Sequence, residues 1–142
     1  MKRLFSIAVM TSVLYSAAFA QDTAAKRVAA EKSAQNWLVL VDSGHYGESW
    51  QEAATFFQSK VSKADWQTDL KQVRTPLGPV RQRALLGSIY RSDLPNAPKG
   101  EYVIVQFKTE FATKGAFVET VTPMLDKDGN WRVSGYFVKP AQ

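Results

Sequence analysis

At Pro76-Leu77-Gly78-Pro79 the apolar pattern of the chain changes period, and that change constrains the fold more than any other feature. Before it, apolar residues recur at steps of three and four; after it they alternate. Proline lacks the amide hydrogen a helix needs and restricts the residue before it, so helical structure is expected to stop here. Helices first and strands second make an α+β layout.

The first half reads as three helices. Thr23 to Val41 carries Val28, Ala34, Trp37, Leu38 and Val41 on one stripe, with Asp22 or Thr23 as its cap. Asp42-Ser43-Gly44 closes it with a residue that tolerates positive φ. A second helix is expected from about Gly47 to Lys60, with Trp50, Ala53, Ala54 and Phe57 on one side. A third begins at Ser62, three residues before Asp65 in a capping-box arrangement, and turns Trp66, Leu70 and Val73 inward.

The second half reads as a four-stranded antiparallel meander. Val80 to Tyr90 alternates imperfectly, and Gly87 marks a bulge. Glu101 to Phe111 points Val103, Val105, Phe107 and Phe111 one way, and Tyr102, Gln106, Lys108 and Glu110 the other. Ala116 to Leu125 and Asn130 to Lys139 follow, joined by Asp126-Lys127-Asp128-Gly129. The helices are expected to cover one face of this sheet, because four tryptophans need a core to enter.

Composition supports a packed globule: 45% of the 142 residues are hydrophobic and only 22% charged. Zero cysteine excludes disulfides, thiolate metal sites and cysteine nucleophiles. Residues 1–20 read as an export signal. Lys2 and Arg3 lead an apolar run from Leu4 to Leu14, and Ala18-Phe19-Ala20 supplies the small-x-small cleavage pattern before Gln21. The run is shorter than the roughly 20 apolar residues of a spanning helix. A periplasmic or secreted chain, with no stable membrane insertion after cleavage, is therefore expected. Residues 21–142 would form one domain with 16 basic and 13 acidic side chains.

Several motifs occur in order: Trp37, Asp42, Gly44, Tyr46, Ser49 and Trp50; then Arg74-Thr75-Pro76-Leu77-Gly78; Gly100-Glu101-Tyr102; Glu119-Thr120; and Asp128 to Tyr136. Together they resemble the exported bacterial proteins grouped as domain of unknown function 4019, over about residues 28–138. The resemblance implies a helix-then-curved-sheet plan similar to cystatin-like and nuclear-transport-factor-2-like folds. Those folds host dehydratases, isomerases, ligand binders and dimerisation modules alike, so it does not choose a function.

Candidate chemistry is sparse. His45, the one imidazole, sits in an interhelical turn and reads as a solvated or capping residue. Asp126 to Asn130 departs from a calcium loop, since Gly129 comes fourth and no glutamate stands twelfth; it reads as a hairpin turn. Glu119 and Tyr136 form the most interesting polar pair. If Leu125 pairs with Asn130, Glu119 lies opposite Tyr136; if the turn is Asp128-Gly129 alone, it lies opposite Val138. In both registers the even-numbered residues of the third strand are expected to face the helices. That sends Glu119 to the outer face, away from any dehydratase-like cavity.

Two surfaces remain. From Lys71 to Arg91 there are five cations and no carboxylate, and Arg81 and Arg83 share strand parity. With Arg74 they make a candidate anion strip, because arginine grips carboxylate or phosphate with two parallel hydrogen bonds. On the outer sheet face Tyr102, Ile104, Val121, Tyr136 and Val138 form a candidate apolar contact surface. The expectation is a small exported binding or assembly module without catalysis. Its partner would be an unknown protein, an anionic envelope component or a second copy of the chain, and not nucleic acid. The alternative is a small-ligand receptor, or a dehydratase- or isomerase-like enzyme, with a pocket lined by Trp50, Trp66, Phe107 and Trp131. Neither reading calls for a cofactor or a metal, and the sequence holds no phosphate loop, nucleophile elbow or metal-ligand cluster.

Overall fold

The computed structural model describes residues 10–142. Residues 1–9, which carry the positive end of the expected export signal, lie outside the described residues. Helix α1 runs Met10–Asp42, α2 Tyr46–Gln51, α3 Thr55–Lys60 and α4 Lys63–Leu77. The strands are β1 (Val80–Arg91), β2 (Tyr102–Phe111), β3 (Gly115–Leu125) and β4 (Trp131–Pro140). They form one antiparallel sheet in the order β1-β2-β3-β4. The architecture is α+β, as the change of period requires.

The stripe of α1 that packs on the sheet is Ala30, Ala34, Trp37, Leu38 and Val41. Val28, expected in that stripe, is 65% exposed. Two residues before Ala30 is about 200° round the helix, so Val28 points to the opposite side. The expected second helix is broken in two: Ala54 is extended, and its amide leaves the helix to bond the Val133 carbonyl at 2.8 Å. Ser62 caps α4 by accepting from the Asp65 amide at 3.1 Å, as its spacing implies. The helix continues through Pro76 for one more residue, and Gly78, at φ +78°, ends it.

Three indoles are tied into this helical layer. Trp37 and Trp66 donate to the backbone oxygen and the hydroxyl of buried Ser49, and Trp50 donates to the Val61 carbonyl. The core beneath them is Val103, Val105, Phe107, Val121 and Val133. On the opposite face a smaller cluster of Ala54, Tyr102 and Met124 is covered by Phe56, Leu94 and Ala97.

Bulges set which residues face the helices. In β4 the register steps from Pro123↔Val133 to Val121↔Tyr136, so β4 carries one extra residue at Ser134-Gly135. Trp131 and Val133 point at the helices; beyond the bulge Tyr136 does, and Phe137 turns outward, 50% exposed. One inserted residue inverts every side chain after it. Leu125 pairs with Trp131, so the odd-numbered residues of β3 share the helix-facing side with Trp131 and Val133, which corrects the expected even parity. In β1 the register steps at Arg81 and again between Leu85 and Gly87, beside the glycine expected to mark a bulge.

Candidate functional site

The helix-facing side of the sheet holds a charged network drawn from six elements. Asp42 ends α1, Arg74 lies in the last turn of α4, and Arg83, Thr109, Glu119 and Tyr136 come from β1 to β4 in turn. Glu119 is fully buried. Its Oε1 accepts from Arg83 Nε at 2.8 Å and from the Thr109 hydroxyl, and its Oε2 accepts from the Tyr136 hydroxyl at 2.5 Å. Arg83 reaches across to Asp42 with two bonds, 2.7 Å and 2.9 Å. Arg74 donates to Asp42 Oδ1 at 2.8 Å, an oxygen it shares with Arg83, and to Tyr136 at 3.3 Å. Its guanidinium carbon lies 5.0 Å from the centre of the Phe111 ring.

Two guanidinium groups thus meet two carboxylates. Burial alone would push the Asp42 carboxyl up, but hydrogen bonds from Arg83 and Arg74 outweigh it and hold that carboxyl below the ordinary range. Burial also opposes the charge on Arg83; Asp42 and Glu119 more than offset it. The Tyr136 phenol is pushed up, first by burial and then by the Glu119 carboxylate beside it. Among the described residues no buried side-chain polar atom lacks a partner. A network satisfied in this way orders the core, because removing any charged member leaves a partner charge uncompensated.

This arrangement corrects both expected contact surfaces. Arg74 and Arg83 turn inward and are neutralised by Asp42 and Glu119. Arg81 occupies the β1 bulge, exposed, and does not share a face with Arg83. The expected apolar outer face is dispersed: Val121 and Tyr136 face the helices, Tyr102 is buried in the smaller cluster, and Ile104 remains outside opposite Ile89. Glu119 is inside, not outside, and opposite Val138.

Of the four residues of the alternative pocket, Trp66 and Phe107 are core, and Trp50 packs against it. Phe57 meets Trp66 edge-on at 4.9 Å between ring centres. Trp131 is different. It lines an open cleft of about 780 Å³ between α1, α2 and the start of β4. Lys32, Asn36 and Trp37 form one side, Glu48, Gln51 and Glu52 the other. Trp66 lines a separate apolar groove of about 200 Å³ between α4 and β4, with Val73 and Phe137 on its rim.

His45 precedes α2 and is exposed, with Nδ1 3.9 Å from Glu48 and no capping bond. Asp126 to Asn130 is a hairpin turn, with Gly129 at φ +79°. Asp126 has a further task, accepting from the amide and hydroxyl of Thr55 at the head of α3. Among the described residues no group of histidine, aspartate and glutamate is placed to hold a metal.

Sequence reasoning passed over Asp42 and Thr109 as site residues. A signal for Asp42 was present: a carboxylate at a helix C-terminus opposes the helix dipole and calls for a cation. Glu119 carried a similar one, as the one charged residue of its strand, flanked by Val118 and Val121.

The family model described as a protein of unknown function (DUF4019) matches residues 33–136, a span that contains all six members of the network. No curated protein and no solved structure matches the chain, so the cystatin-like or nuclear-transport-factor-2-like likeness stays an expectation.

Proposed function

This chain belongs to the DUF4019 family of proteins of unknown function, and from that premise we propose that it is an exported, non-catalytic binding module whose ligand sits in the Trp131 cleft. The observation that carries this reading is a contrast. The interior carboxylate with catalytic potential has both oxygens engaged and no exposure, while the cleft is open and its volume is in the range of small-molecule sites. General acid–base work needs a group within reach of a substrate proton, and Glu119 reaches only protein.

Export rests on the signal-like pattern of residues 1–20. Residues 17–21 of α1 are exposed, and Lys26 bonds both Asp22 and Glu101, joining the start of the expected mature chain to the residue before β2. The partner is an envelope component taken by the cleft rather than an anion held by Arg74 and Arg83, since those guanidinium groups already have carboxylates.

The test combines location with binding. The chain recovered from an envelope fraction should have the mass of residues 21–142. Incubated with an envelope extract, gel-filtered and analysed by mass spectrometry, it should carry a ligand that is chemically unchanged and lost in Trp131→Ala. Time-dependent conversion of an extract component by the wild type, absent in Glu119→Gln, would replace this reading with the enzymatic alternative.

A further inference from the structure

Resting on that reading and deepening it, we propose that the ligand of the Trp131 cleft is a saccharide of little net charge. Trp131 supplies the first reason. The indole N–H groups of Trp37, Trp50 and Trp66 all have acceptors inside the protein; among the described residues that of Trp131 has none. A half-buried indole that lines the cleft with its N–H uncommitted can give a ligand an apolar ring surface and a spare donor. This is the combination that a pyranose ring, with its C–H face and hydroxyl rim, can satisfy at once.

The walls supply the second reason. Asn36 on α1 and Gln51 on α2 both line the cleft, and both are exposed. An amide offers donors and an acceptor together, which matches hydroxyl groups that do both. A purely apolar ligand would gain nothing from these amides. Charge supplies the third. Lys32 stands on the α1 side, Glu48 and Glu52 on the α2 side, and Arg132 on β4, 3.5 Å from Glu52, so the lining carries two charges of each sign and no excess for a strongly charged ligand.

A peptide would ordinarily use the edge of β4 by adding a strand. Here that edge is occupied: the Ser33 hydroxyl bonds the Trp131 carbonyl at 2.6 Å and the Ala54 amide bonds the Val133 carbonyl. Recognition in this cleft falls to side chains, which favours the saccharide.

The experiment is titration of the purified mature chain with neutral tetrasaccharides of the chito, cello and malto series, read by tryptophan emission and by calorimetry. At least one series should saturate at millimolar concentration or below. Trp131→Ala should weaken it by about tenfold or more. Because Trp131 also packs on the core, the exposed pair Asn36→Ala and Gln51→Ala is measured as well, and each should weaken binding about threefold. No saturation by any series, or binding undiminished in all three variants, overturns the proposal. A peptide or lipid recovered from the wild-type cleft while saccharides are inert overturns the saccharide assignment and leaves the binding reading in place. Recovery of no Trp131-dependent ligand overturns the binding reading itself.

Discussion

Glu119 sits among two guanidinium groups, a phenol and a hydroxyl, with no water-facing surface. Its removal would leave Arg74 and Arg83 sharing the single carboxylate of Asp42. The desolvation of both cations would persist while half of their compensation went. Glu119→Ala is therefore expected to destabilise the fold by about 3–5 kcal/mol, measured by urea unfolding. A lysine at position 83 would not replace the arginine, because the site uses a fork that contacts Asp42 and Glu119 at once. A destabilisation of Glu119→Ala below about 1 kcal/mol, the scale of one ordinary hydrogen bond, would show that the network does not hold the sheet to the helices.

At the scale of elements, the strands and α4 were readable because their signals are local. Alternation marked β2, the Ser62–Asp65 pair marked the start of α4, and Asp128-Gly129 marked the last turn. The break between α2 and α3 was not readable, since it depends on Ala54 bonding a strand far along the chain. The face of Glu119 was misread for a similar reason. Leu125 pairs with Trp131, one step from either register expected at the turn, and the extra residue at Ser134-Gly135 shifts the ladder again before Glu119. Gly135 is the one hint, as glycine inside a strand often marks a bulge. Deleting Gly135 removes the extra residue and leaves Tyr136 two positions after Val133, so Tyr136 should still face the helices opposite Val121. We expect the near-ultraviolet circular dichroism, in which Trp37 and Tyr136 pack edge-on at 5.4 Å, to survive, with stability lowered by no more than about 3 kcal/mol. A collapse of that signal in the deletion variant would contradict the bulge.

For the whole molecule, three carboxyls link the helical layer to the sheet. Asp42 is held low by Arg83 and Arg74 against the pull of burial. Glu101 is held low by Lys26 and then Tyr90, and Asp126, again against burial, by its bonds from Thr55 and Lys127. A carboxyl depressed in the folded state binds fewer protons folded than unfolded, so its contribution is complete above its ordinary value, 3.8 for Asp and 4.5 for Glu, and is lost as pH falls through the lowered one. Urea midpoints should stay level from neutral pH down to about 5 and fall below about 4. Asp42→Asn should be less stable at neutral pH and show a shallower acid slope; an unchanged slope would rule out Asp42 as a contributor. What the amino-acid sequence determined by itself was everything written in short-range chemistry: the α+β order, the helix caps, the strands and the family signature. Which face each strand residue took, and therefore whether Arg74, Arg83 and Glu119 met solvent or one another, was decided only in the tertiary structure. The pairing of Leu125 with Trp131 and the bulges in β1 and β4 set that parity, and the free energy that selects them lies in contacts between residues far apart in the chain.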